Sequence, residues 1–283
     1  MKAVEEKIFV DGPVGKIEVI MERPDAPRGI ALVAHPHPIG GGANTNKVAY
    51  TLARTFVSLG YASFRPNFRG VGDTEGVHDE GHGETEDLLA VLQDAKCRCG
   101  DLPVALAGFS FGAFCQTRLA KRLMELGHPA QRLVLVGTAA GHVEGSRQYE
   151  TEAVPHDTIV IHGSADDTVP LDNVFAWARP LDLPVVVIPG ADHFFHRRLH
   201  LTIQLLNLIG ACHPHSFDRL PRVSSPVVES VFAIREPWII RAQPPRCQGS
   251  WSPKSMVSLG LAHHPRPGWG PRRPRPRVRG ARR

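Results

Sequence analysis

The sequence predicts an α/β fold, a mostly parallel sheet with helices on both faces. Three observations point there. Short apolar, β-branched runs alternate along the chain with longer runs of helical period, the pattern of strands buried on both faces and covered by helices. With 283 residues, 42% hydrophobic and 22% charged, the composition suits globular domains and excludes fibrous or membrane-embedded classes. No run of about 20 apolar residues is present to span a bilayer.

Charge divides the chain in two. Residues 1–212 hold 25 Asp and Glu against 19 Lys and Arg, whereas residues 213–283 hold 3 against 14 and carry 12 of the 25 prolines. The first segment is therefore expected to be a single catalytic-size domain, which at that length buries roughly 70% of its unfolded surface. The second, ending in Pro271–Arg283 (PRRPRPRVRGARR), is too rich in proline and charge to form a core and is expected to be a disordered tail. Its composition fits either an out-of-frame segment of a GC-rich gene or an electrostatic arm for nucleic acid.

The elements follow in order. Lys7–Val10 and Lys16–Glu22 flank the turn residues Asp11, Gly12 and Pro13 and read as a hairpin entering the sheet antiparallel. Ile30–His35 reads as a buried strand, and Lys47–Leu59 as a helix with Val48, Leu52 and Phe56 on one face. Tyr61–Pro66 is the next strand. After the Gly-rich loop Asn67–Gly83 comes a helix, Glu84–Lys96, whose first-turn acids Glu84, Glu86 and Asp87 suit its positive N-terminal end. Pro103–Phe109 is a strand, and Phe111–Leu126 a helix stopped by Gly127. Strands Arg132–Gly137, Thr158–His162 and Pro184–Ile188 follow, with a helix at Leu171–Ala178 and a closing helix at Phe194–Leu208. No internal repeat is present.

The five cysteines lack C-x-x-C spacing, and the opening MKAVEEKIFVDG has no apolar stretch of signal-peptide length, so reduced thiols and a cytoplasmic location are expected.

The chemistry is marked first by Gly108-Phe109-Ser110-Phe111-Gly112, a G-x-S-x-G string between a strand and a helix. A serine on such a strained turn exposes its hydroxyl, and the tight turn leaves no room for side chains two residues to either side. The hydroxyl needs a base, and the base an orienting carboxylate. Asp166, directly after one strand, and His193, directly after the last, supply them at the sheet edge where ligands of open α/β folds bind. Asp167 and Asp192 are neighbouring candidates for the acid, and His196 is a rival base.

His35-Pro36-His37-Pro38, Arg65–Gly76 (RPNFRGVGDTEG), Gly108–Gly112, His162–Pro170 and Gly190–Phe195 together resemble the α/β-hydrolase superfamily. Within it the chain is similar to small, lidless bacterial serine hydrolases related to dienelactone-hydrolase-like and prolyl-oligopeptidase-like proteins, over roughly residues 5–210. Two positions depart from relatives. Ser110 stands where dienelactone hydrolases carry cysteine, and Thr74 where the glycine-rich loop usually has serine.

The resemblance implies an α/β-hydrolase fold without a cap domain, since only about 20 residues separate Gly137 from Thr158. It implies Ser110 as nucleophile, His193 as general base then acid, and Asp166 as the acid that fixes the imidazole. Backbone N–H groups of Phe111 and His37 would receive the oxyanion, Pro36 and Pro38 having none to offer. It further implies a small acyl substrate, ester or thioester, with neither cofactor nor metal, and no membrane or nucleic-acid partner; it is silent on oligomeric state. Two other readings remain: a hydrolase-fold binding protein acting through the basic tail, and a metal site built on His35 and His37 with His78, Asp79 and His82.

Overall fold

The computed structural model describes residues 3–143 and 147–211. The basic segment 213–283, expected to be a disordered tail, lies outside the described residues.

The hairpin forms first, as β1 (Val4–Gly12) and β2 (Gly15–Arg23), longer at both ends than the pattern alone suggested. Then β3 (Gly29–Ala34), α1 (Lys47–Ser58) and β4 (Tyr61–Pro66) make the first parallel unit. Helix α2 (His82–Cys99), β5 (Val104–Phe109), α3 (Phe111–Glu125) and β6 (Arg132–Val136) follow. Next come a ribbon, β7 (Gly141–Val143) with β8 (Arg147–Tyr149), and β9 (Ile159–Gly163). Helix α4 (Leu171–Ala178), β10 (Val185–Ile188) and α5 (Leu199–Ala211) close the domain.

The eight sheet strands run β1-β2-β4-β3-β5-β6-β9-β10. Pairing is antiparallel from β1 through β4 and parallel beyond. β3, β4 and β5 are buried along their whole length, as strands covered on both faces are, and in β4 this includes Arg65, paired with Glu22. Side chains alternate between two cores: Ile30, Leu32 and Leu106 pack with α2 and α3, while Ala31, Val33 and Ala107 pack with α1 and α5.

Two elements differ from the sequence expectation. The closing helix starts at Leu199 rather than Phe194, because Phe195 and Arg197 adopt left-handed backbone (φ 53° and 60°) and break the helical text there. The ribbon β7–β8 was not foreseen. Among the described residues it is the only regular structure between β6 and β9, so no cap domain covers the sheet edge there. Among the described residues no helix is long and apolar enough to cross a membrane.

Candidate active site

Ser110 sits between β5 and α3 with φ 56° and ψ −121°, a conformation L-residues rarely adopt. The turn is fixed on both sides. Ser110 N–H donates to Val136 O at the end of β6 (2.9 Å), and the glycines two residues away lie against backbone. A Cβ at Gly108 would stand 2.5 Å from Ala113 N, and one at Gly112 2.5 Å from Ala34 O, so α3 can approach β5 and β3 only if these two positions lack side chains.

The loops after β9 and β10 are tied together by Ser164 N–H to Ile188 O (3.1 Å) and Ala165 N–H to Ala191 O (2.9 Å), next to Asp166 and two residues before His193. Phe195, fully buried against α1 and α5, anchors the turn that holds His193, whose ring packs on Phe109 (4.9 Å between centroids). The three expected side chains meet. His193 Nε2 is 3.0 Å from Ser110 Oγ, and His193 Nδ1 is 2.8 Å from Asp166 Oδ2. Asp166 Oδ1 accepts from the N–H groups of Thr168 (3.1 Å) and Val169 (2.8 Å). An acceptor-only carboxylate assigns the proton to Nδ1 and leaves the Nε2 lone pair facing the hydroxyl. Such an arrangement can remove the Ser110 proton and hold the resulting imidazolium.

The alternatives lie elsewhere. Asp192 binds His196, its Oδ2 2.6 Å from Nδ1, in an exposed pair. Burial outweighs the pull of Asp166 on His162, a residue the sequence did not single out, and lowers its pKa. Its Nε2–H donates to Val169 O (2.9 Å) and lies 3.4 Å from Asp166 Oδ2, backing the carboxylate from the core side.

After β3, His35 is fully buried, with Nδ1–H donating to Pro36 O (2.7 Å) and Nε2 accepting from Phe68 N–H (2.9 Å). Burial holds its pKa at about 4. Both ring nitrogens are thus committed to backbone, which removes it as a metal ligand and makes it a strut between two site loops. His37 and His78 are half-buried. His37 lies against Phe111 (4.9 Å) and His78 (4.8 Å), and burial, then His78, lowers its pKa to about 4. Glu84, expected only to complement a helix end, is fully buried. It accepts from the Asp79 and Gly81 N–H groups (2.9 Å each) and pairs with His78 Nδ1 at 2.8 Å.

Phe111 opens α3, so its N–H has no carbonyl one turn back to receive it. Beside it a cavity of about 920 Å³ is walled by Phe111, Phe114 and Tyr149, with His37, His78 and Arg118 at its polar side. These residues come from four separate segments, and no local pattern in the sequence announces them.

Comparison with known proteins places the fold among known families. A family model described as a thioesterase domain matches residues 57–181, a stretch holding Ser110 and Asp166 but ending before His193. An uncharacterised protein of Rickettsia prowazekii is 32% identical over 198 residues, 67% of this chain and 82% of that protein. A Xanthomonas campestris protein, described as an α/β serine hydrolase without a lid, is similar in structure: the TM-score is 0.65 at 32% identity, covering 75% of this chain and 95% of that one. An α/β serine hydrolase homologue from Coxiella burnetii gives a TM-score of 0.61 at 36% identity, covering 71% and 95% respectively.

Proposed function

The chain belongs to the α/β serine hydrolases that lack a lid, and from that membership we propose that it cleaves small esters or thioesters through an acyl-enzyme on Ser110. The observation that carries the reading is the unbroken line from Ser110 Oγ through His193 to Asp166, at 3.0 and 2.8 Å, ending on two backbone N–H groups.

In the proposed reaction Ser110 Oγ attacks the substrate carbonyl while its proton passes to His193 Nε2. Asp166 stabilises the imidazolium through Nδ1–H. The negative oxygen of the tetrahedral species is received by the N–H groups of Phe111 and His37, where each donor contributes about 10²–10³ in rate. Collapse releases the alcohol or thiol, which takes the proton from Nε2. Water, deprotonated by the same nitrogen, then attacks the acyl-serine, and release of the acid restores Ser110. No step calls for a cofactor. The family model favours thioesters and esters over amides as the first substrates to try. Since among the described residues only the β7–β8 ribbon stands where a cap would, the cleft is open to accessible acyl groups.

Cys97, Cys99 and Cys115 are reduced cysteines, and a cytoplasmic setting belongs to the same proposal. A fluorophosphonate probe is the direct test. The reading expects a single adduct by intact mass, mapped to the peptide containing Ser110 and lost in S110A; an unlabelled, folded protein overturns it.

A further inference from the structure

The cavity beside Phe111 carries an unassigned charge. Arg118 lies on α3 eight residues beyond Ser110, about 12 Å further along the axis at 1.5 Å per residue. Its half-buried guanidinium lies over the Phe114 ring (5.6 Å) and donates from Nη2 to His82 Nδ1 (2.7 Å), a contact that makes His82 an acceptor and supplies no countercharge. Among the described residues no carboxylate stands within 4 Å of Arg118, unlike Lys121 one turn on, which is paired with Glu152 at 2.8 Å.

The other charged groups facing the cavity are Arg147, Glu80 and Glu150. Both glutamates are exposed and neither is paired with Arg118, so water and salt screen them. Between the reacting centre and Arg118 the wall is aromatic: Phe111 and Phe114 (6.0 Å), then Tyr149 on Phe114 (5.0 Å).

We propose that this cavity is the substrate's tail subsite, and that Arg118 receives a carboxylate or comparable anion at the far end of that tail. The inference rests on the serine hydrolase reading and deepens it. The favoured substrate carries an apolar or aromatic spacer along Phe111, Phe114 and Tyr149, on the order of the 12 Å backbone rise from Ser110 to Arg118, and ends in the anion. A guanidinium and a carboxylate brought together away from bulk water form a strong, charge-assisted pair.

The test compares p-nitrophenyl esters whose acyl chain of about nine carbons ends in a carboxylate or in its methyl ester. A second series carries the same two ends on the alcohol side of an acetate ester. The wild type is expected to prefer the charged tail at least about tenfold in kcat/KM in one series, a ratio that salt reduces. In R118Q the ratio falls to near one, and in R118E it turns toward an ammonium-ended tail. Because each ratio is taken within one preparation, partial misfolding of a variant does not alter it. Equal rates for charged and neutral tails in both series, or a preference that survives in R118Q, overturn the anion subsite while leaving the hydrolase reading intact. Failure to hydrolyse any ester, with no labelling of Ser110, overturns both.

Discussion

Replacing Asp166 by asparagine exchanges one carboxyl oxygen for an NH2 group, and the surrounding loop decides which one. Oδ1 receives the N–H groups of Thr168 and Val169, whereas Oδ2 receives only His193 Nδ1–H at 2.8 Å and has His162 Nε2 at 3.4 Å. Placing the NH2 on the Oδ1 side would face two donors with a third and strand buried N–H groups, at about 1–3 kcal/mol each. The amide oxygen therefore stays with the backbone, and the NH2 points at His193. That forces Nδ1 to become an acceptor, moves the ring proton to Nε2, and leaves Ser110 without a base. A wrong imidazole tautomer in a Ser-His-Asp arrangement costs about 10⁴ in kcat, or about 5.5 kcal/mol of transition-state stabilisation.

The stability readout separates this from general damage. D166N keeps the loop's acceptor and is expected to unfold in urea within about 1 kcal/mol of the wild type, whereas D166A strands both N–H groups and loses about 2–6 kcal/mol. Turnover of p-nitrophenyl acetate and the rate of fluorophosphonate labelling, measured beside urea melts, give both numbers. D166N activity within about tenfold of the wild type, or a D166N melt as weakened as that of D166A, would refute the assignment of the proton to Nδ1.

Three further outcomes are expected. Ser110 is strained at φ 56°, so S110G should abolish labelling yet raise stability by about 1 kcal/mol, the relief of strain exceeding glycine's added chain entropy; a lower melting temperature contradicts this. G112A sets a Cβ 2.5 Å from Ala34 O and should destabilise by about 1–3 kcal/mol or more, since backbone cannot move aside as a side chain can; an unchanged thermal melt counts against the close approach of α3 to β3. His35, held at about 4 in the folded protein against 6.5 when exposed, stays neutral while the unfolded chain takes up a proton. Stability is therefore full above pH 6.5 and falls by about 3 kcal/mol as the pH drops toward 4. Urea unfolding of H35Q should lack that component of the slope, and identical pH dependence in the two proteins would exclude it.

The most secure readings came from residues whose constraint is local. Gly108 and Gly112 are dictated by the turn that Ser110 occupies, and that turn is written in five consecutive letters. Asp166 and His193 could be placed at strand ends because the apolar runs before them are unmistakable, although their meeting depends on the Ser164–Ile188 and Ala165–Ala191 hydrogen bonds between two loops. The closing helix shows where period fails. Phe194 and Phe195 fit a helical face, but Phe195, buried in the core shared with α1 and α5, and Arg197 hold left-handed backbone just after the turn that presents His193.

The sequence by itself determined the order of the main strands and helices and the strained serine turn, and narrowed the partners to Asp166 and His193 beside Asp167, Asp192 and His196, because strand burial, helical period and glycine sterics act over a few neighbouring residues. Only the tertiary structure decided which tautomer His193 holds, that Glu84 is a buried partner of His78, and that Phe111, Arg118 and Tyr149 share one cavity. Those properties arise from segments far apart in the chain, and it is the packing of α2, α3 and the β7–β8 ribbon over one end of the sheet that brings their charges and rings within reach of each other.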